Sequence, residues 1–240
     1  MAGSEVVRRS LAEAIGTGVL VATVVGSGIM ATTLTRDVGL QLVINALATV
    51  ASLAVLIWSL GPISGAHFNP AVTLTAAVRR ELPVVEAGAY VAAQVFGGLA
   101  GCAVGNLMFG LSAFTASTKL RSTPNLWLGE IVATAGLIAL IGALTRSGYG
   151  RLGPALVPAW IGAAYFFTSS TSFANPAVTI ARALTDTFSG IAPASVVAFI
   201  LAQLVGAAIG AALTEVFYPR IGTHPEPLDL PAPVHLGDGA

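Results

Sequence analysis

Two short stretches carry the same unusual order of side chains, Asn69-Pro70-Ala71-Val72-Thr73 and Asn175-Pro176-Ala177-Val178-Thr179, 106 residues apart. A proline in the first helical turn costs no hydrogen bond, because the N–H it lacks would be unsatisfied there anyway. An asparagine just before it can cap the free N–H groups of that turn. Each stretch therefore predicts a helix that starts at its asparagine, with a carboxamide NH2 and a positive dipole end at its head. Such a pair can hydrogen-bond a hydroxyl oxygen and repel a cation. The other candidates for chemistry are Glu13 and Glu130, which stand within apolar stretches, and His67, two residues ahead of Asn69. The single cysteine, Cys102, excludes an internal disulfide, and no CxxC or His/Cys cluster offers a metal site. No metal, cofactor or enzymatic activity is expected.

The elements that position these residues follow from composition. Of 240 residues 55% are hydrophobic and 9% charged, with mean hydropathy +0.84, whereas a soluble domain carries about 25% charged residues. Eleven basic and eleven acidic side chains cancel, and no basic block exists to neutralise phosphates, so nucleic-acid binding is excluded. Charge-free runs cover 14–35, 38–78, 87–118, 152–181 and 187–214, and a span needs roughly 20 apolar residues. These runs predict an all-α membrane protein with spans near 11–34, 40–60, 84–107, 127–146, 153–170 and 193–216. The segments 62–80 and 171–186 are too short to cross. They predict re-entrant half-helices, entered through non-helical backbone that is tolerated only beside a water-filled cavity. Trp58, Trp127 and Trp160 fall near span ends and are expected to be interfacial anchors.

Three landmarks recur in order. The Asn-Pro-Ala-Val-Thr pair is joined by Gln94, Gly97 and Gly101 against Gln203, Gly206 and Gly210, and by Glu13 and Thr17 against Glu130 and Thr134. The chain thus reads as a channel domain over 11–216, made of repeat one at about 11–110 and repeat two at about 125–216. A short segment, 1–10, precedes it and a flexible polar tail, 217–240, follows. Three spans per repeat force the two units into inverted orientation, so the half-helices enter from opposite faces. Placing both termini in the cytoplasm puts seven basic residues inside and four outside, which favours that orientation. Gly97, Gly101, Gly206 and Gly210 are expected to pack helices closely, with Cys102 a small packing residue among them.

Ser64-Gly-Ala-His-Phe-Asn-Pro-Ala-Val-Thr73, the second Asn-Pro-Ala and the paired glutamates resemble the aquaporin, or major intrinsic protein, family, over about residues 10–216. The resemblance implies six transmembrane helices plus two re-entrant half-helices and a homotetramer with one pore per subunit. It also implies a multi-pass location in the inner (plasma) membrane. Asn69 and Asn175 would present their amides at the pore midplane, with Pro70, Pro176, Ala71 and Ala177 setting the helix starts; the plainer reading is that each asparagine only caps its helix. Glu13 and Glu130 would accept from free N–H groups of the re-entrant loops, although an intramembrane carboxylate can also relay protons in a transporter. His67 would hold its loop, or gate by protonation.

In that family four positions form a selectivity filter, and counting from the motifs places them at Thr49, Ala163, Ser172 and Val178. The family usually has Arg where Val178 stands. Without it the constriction widens and loses a fixed cation. Arg182, seven residues past Asn175 and roughly 10 Å along the half-helix, is expected to face the outer mouth instead. The pattern is similar to bacterial aquaglyceroporin-like channels linked to arsenic resistance. It implies passive passage of trivalent arsenic hydroxide, glycerol-like solutes and water. A general water/glycerol channel without metalloid role and a proton-coupled inverted-repeat transporter are the alternatives.

Overall fold

The computed structural model describes residues 2–219, with the side chain of Ala2 left aside. Eight α-helices occupy this range, and no strand occurs among the described residues: α1 (Ala2–Leu34), α2 (Val38–Ser64), α3 (Pro70–Val78), α4 (Val84–Met108), α5 (Pro124–Arg146), α6 (Gly153–Phe167), α7 (Pro176–Arg182) and α8 (Pro193–Phe217). Each repeat contributes three longer helices and one half-helix, α3 or α7. Helices α1, α2, α4, α5 and α8 are long and apolar enough to cross a membrane.

The boundaries depart from expectation in three places. Segment 1–10 carries the first turns of α1, which begins at Ala2. Helix α2 runs through Pro62 to Ser64 and stops at Gly65, whose φ of 88° needs the left-handed freedom of glycine; the first re-entrant segment is correspondingly shorter. Helix α6 has 15 residues, about 22 Å, and falls short of the expected span 153–170. A 3-10 turn at Gly150–Leu152 precedes it and adds about 6 Å. The expected tail lies, from residue 220 onward, outside the described residues.

The distribution of polarity is that of a protein in lipid. Val7, Leu11, Ile15 and Val19 form an exposed stripe along α1, while Glu13, Thr17, Gln94, Glu130 and Gln203 are wholly buried. In water that pattern would be costly; in hydrocarbon it places apolar groups against the chains and keeps polar ones paired inside. The two repeats are each held by one helix pair whose backbones nearly touch. A Cβ at Gly97 or Gly101 of α4 would run into the carbonyl oxygen of Ala14 or Gly18 on α1. At Gly206 it would meet Ile131 O at 2.5 Å, and at Gly210 it would collide with Ala135 O, both on α5. These four glycines lie where the helix backbones approach most closely, and Cys102 is fully buried beside them. Trp160 is a correction. Instead of anchoring at an interface, its ring fills the notch left by Gly136, and Nε1 donates to the Ala133 carbonyl at 2.9 Å. Trp58 is exposed, and Trp127 packs with the buried Phe173 and Phe199 group.

Candidate functional site

The two half-helices are placed by caps. Asn69 Oδ1 accepts from Ala71 N at 2.9 Å, and Asn175 Oδ1 accepts from Ala177 N and Val178 N at 3.0 and 3.2 Å. Each carboxamide then spends one N–H on the opposite loop. Asn69 Nδ2 donates to Ala174 O at 2.7 Å, and Asn175 Nδ2 donates to Phe68 O at 2.8 Å. Each asparagine thus caps its helix and has a further task the sequence did not show: the two tie the loops together. Each NH2 retains a second N–H, and both residues line the central cavity. Pro70, Pro176, Ala71 and Ala177 are buried off the cavity wall.

The loops that lead into the caps are backbone in unusual conformations. Ala66 and Phe68 in the first, and Thr171, Ser172 and Ala174 in the second, have φ between 48° and 62°, a region that costs non-glycine residues about 1–3 kcal/mol each. Buried carboxylates hold them there. Glu13 accepts from Ser64 Oγ (2.6 Å), His67 N (3.0 Å), Phe68 N (2.6 Å) and Gln94 Nε2 (2.7 Å). Glu130 accepts from Phe173 N (2.9 Å), Ala174 N (2.8 Å) and Gln203 Nε2 (2.6 Å). Gln94 and Gln203 in turn donate to Thr73 Oγ1 and Thr179 Oγ1, each at 2.9 Å, on the half-helices. Span, loop, half-helix and next span are thereby joined in each repeat. His67 Nδ1 lies 3.1 Å from Thr73 Oγ1, and its ring packs edge-on against Tyr90 at 5.6 Å.

One cavity of about 640 Å³ passes through this arrangement. Its wall runs from Arg8, Arg79 and Gly150 past His67, Asn69 and Asn175 to Tyr165, Ser172, Phe173 and Arg182. Of the four expected filter positions, three lie on it: Thr49, Ser172 and Val178. Ala163 does not. It is exposed on the outer side of α6, while Val157, Ile161 and Tyr165 line the cavity. Those three are spaced by four residues and share a face, and Ala163 is two residues, about 200°, away from it. Tyr165 lines the cavity from α6 instead, with its hydroxyl 3.2 Å from Thr49 Oγ1. Thr49 Oγ1 also donates to Asn45 O at 2.8 Å. Ser172 Oγ is buried and has no hydrogen-bond partner among the described residues.

Arg182 is 4% exposed, lies on the cavity wall, and its guanidinium stands 3.4 Å from the centroid of the Phe173 ring. Helical side chains lean toward the helix N-terminus, so a long one two turns past Asn175 reaches back to the loop before α7. Arg121, from the connection between repeats, stands over the same ring at 4.9 Å. It donates to Gly190 O and Ser170 O at 3.2 and 3.3 Å. Burial beneath these loops lowers the pKa of Arg121 from its usual value. That connection, residues 109–123, is docked on the segment after α7. Thr115 N and Ser117 N donate to Leu184 O and Ala183 O, and Ala192 N donates to Lys119 O. Asp186 accepts from the N–H and hydroxyl of Thr118 at 2.9 and 3.0 Å.

Comparisons with known proteins agree with this architecture. The family model described as major intrinsic protein matches residues 1–174 and 168–234. Aquaglyceroporin AqpS of Rhizobium meliloti (strain 1021) is 53% identical over 209 residues, covering 87% of this chain and 89% of that protein. The probable aquaporin NIP7-1 of Arabidopsis thaliana is 31% identical over 144 residues, 60% of this chain and 52% of that one. In fold, the aquaglyceroporin from Plasmodium falciparum superposes with a TM-score of 0.62 at 20% identity, over 90% of this chain and 96% of that one. Two capped half-helices meeting at a lined cavity, on these relatives' scaffold, make the chain a membrane channel, not an enzyme, and a member of the major intrinsic protein family.

Proposed function

We propose that the chain is a passive channel for small neutral solutes, passing trivalent arsenic hydroxide, glycerol-like solutes and water. The observation that carries this reading is Val178. An uncharged, short side chain lines the cavity one turn into α7, where an arginine fork would narrow the opening. Thr49, Ser172 and Tyr165 surround it with hydroxyls, which suit a compact molecule carrying three hydroxyls. The name of the Rhizobium meliloti relative favours solutes of glycerol size over water alone.

A proton-coupled transporter has less support. Glu13 and Glu130 are each filled by three or more donors from fixed loops and neighbouring spans, so moving a proton onto either would dismantle the loop it holds. The proposal includes a homotetramer in the inner membrane with both termini cytoplasmic, in line with the basic-residue count.

The test is stopped-flow permeability of proteoliposomes to water, glycerol, urea and arsenic hydroxide. Glycerol and arsenic hydroxide should cross faster than in protein-free liposomes, at rates indifferent to an imposed pH gradient. Passage of water alone would overturn the wide-filter reading, and uphill accumulation driven by protons would overturn the passive one.

A further inference from the structure

We propose that Arg182 supplies the charge of this channel's filter, one turn further along α7 than the position Val178 occupies. The inference deepens the channel reading and rests on it. Arg182 stands four positions after Val178, so both project from one face of the half-helix, and both line the cavity. The Arg182 guanidinium is stacked on Phe173, the neighbour of Ser172, which holds it against the loop that carries a filter hydroxyl.

Its hydrogen bonds leave it work to do. Nε donates to the Ser189 carbonyl and fixes the plane of the group. Among the described residues, the remaining guanidinium N–H groups have no protein acceptor, and neither Arg182 nor Arg121 forms an ion pair. Of these two guanidinium groups, that of Arg182 is on the cavity lining, and that of Arg121, over the same ring but outside the lining, adds its positive charge behind it. A solute oxygen can take the free N–H groups of Arg182, and a cation meets repulsion there. Size and charge selection are therefore assigned to different residues. Val178 leaves the opening wide, and Arg182, held flat against Phe173, keeps it closed to cations without narrowing it.

The test compares wild type, Arg182→Gln and Arg182→Lys in proteoliposomes, reading the ratio of methylammonium-ion to glycerol permeability. Arg182→Gln should raise that ratio about tenfold or more, and Arg182→Lys, which keeps the charge, should raise it far less. A ratio for Arg182→Gln within about twofold of wild type, in protein that still conducts glycerol, would overturn the inference. Should the Gln variant not fold, Arg182→Cys gives a second reading, because the other cysteine, Cys102, is buried. A cationic methanethiosulfonate added from outside should lower its methylammonium flux and an anionic one should raise it. Absence of reaction with either reagent counts against Arg182 facing the channel. Wild type that passes no glycerol sinks the channel reading itself, whereas a conducting wild type with a flat Arg182→Gln ratio sinks this inference alone.

Discussion

The two repeats build the same clamp and opposite mouths. In repeat one the carboxylate of Glu13 holds a loop whose ring, His67, meets Tyr90 edge-on at 5.6 Å and 73°. In repeat two Glu130 holds a loop whose ring, Phe173, meets Phe199 at 5.3 Å and 71°. The aromatic geometry is preserved while its chemistry changes. The first pair is polar, with His67 bonded to Thr73 and the Tyr90 hydroxyl donating to Ser64 O at 2.9 Å. The second is apolar and carries two arginines on its face. The carboxylate fixes where the loop goes; the residues around the ring decide what the loop presents to a solute. The comparison separates scaffold from selectivity within one chain.

The largest effect should come from breaking the shared part. Glu13→Gln and Glu130→Gln each replace an acceptor-only group by one whose NH2 faces the loop N–H donors. Removing one partner of a buried charged network costs about 3–5 kcal/mol, enough to lose folded protein. Glu13 also accepts from Ser64 Oγ, whereas the equivalent Ser170 Oγ lies 3.3 Å from Ser172 N, so Glu13→Gln should be the worse of the two. Thermal unfolding of detergent-solubilised protein measures both. Equal, small shifts would mean that the clamps are not what holds the left-handed loop residues.

The second effect tests the mouth of repeat two. Val178→Arg should cut the ratio of glycerol to water permeability at least about tenfold while sparing water, since a guanidinium fork narrows the opening. It also puts two guanidinium groups four residues apart on one helix face, a repulsive spacing. The double variant Val178→Arg with Arg182→Val should therefore yield more folded protein than Val178→Arg alone. Unchanged solute ratios would remove Val178 from the constriction.

How much of this was legible depends on the kind of information each feature needs. Half-helix starts, caps, paired glutamates and packing glycines rest on residue type at fixed spacing, and their recurrence, at offsets of 106, 117 and 109 residues, exposed them twice over. Ala163 shows what spacing misses. Counting from a motif lands on a position, but whether that position faces the channel depends on how α6 is rotated, and two residues reverse the face. Arg182 shows another limit. Its place along the helix axis can be counted, while the ring it stacks on, Phe173, depends on a side-chain direction that spacing does not give. The asparagine cross-bonds and the Trp160 notch depend on the approach of distant backbone, which no single motif encodes.

A smaller effect sharpens the ring comparison. His67→Phe gives repeat one the apolar ring of repeat two and removes the contact with Thr73 Oγ1, a hydrogen bond whose net worth is about 1 kcal/mol. The ring pair with Tyr90 should survive, so the variant should fold, conduct glycerol, and unfold a few degrees lower. Loss of conduction in folded protein would give His67 a part in permeation and revive gating by protonation.

The smallest effect concerns the connection between the repeats, which carries Arg121 and docks on repeat two. Asp186 pins it through Thr118, whose N–H and hydroxyl hold the carboxyl below the usual carboxylate range. A depressed folded pKa means the contact contributes stability above the free carboxylate's pKa of about 4 and loses it as pH falls through the docked value. Between neutral pH and pH 5 the protection of the Thr118 amide, its exchange relative to a free amide at the same pH, should not change; below pH 4 that protection should fall. Asp186→Asn keeps an oxygen to accept the bond but cannot gain a proton. Its protection at Thr118 should be lower than wild type near pH 6 and should no longer fall specifically with acid. If the variant shows the same acid-induced loss as wild type, the connection is released by some other group, and Asp186 is not what keeps Arg121 over the Phe173 ring.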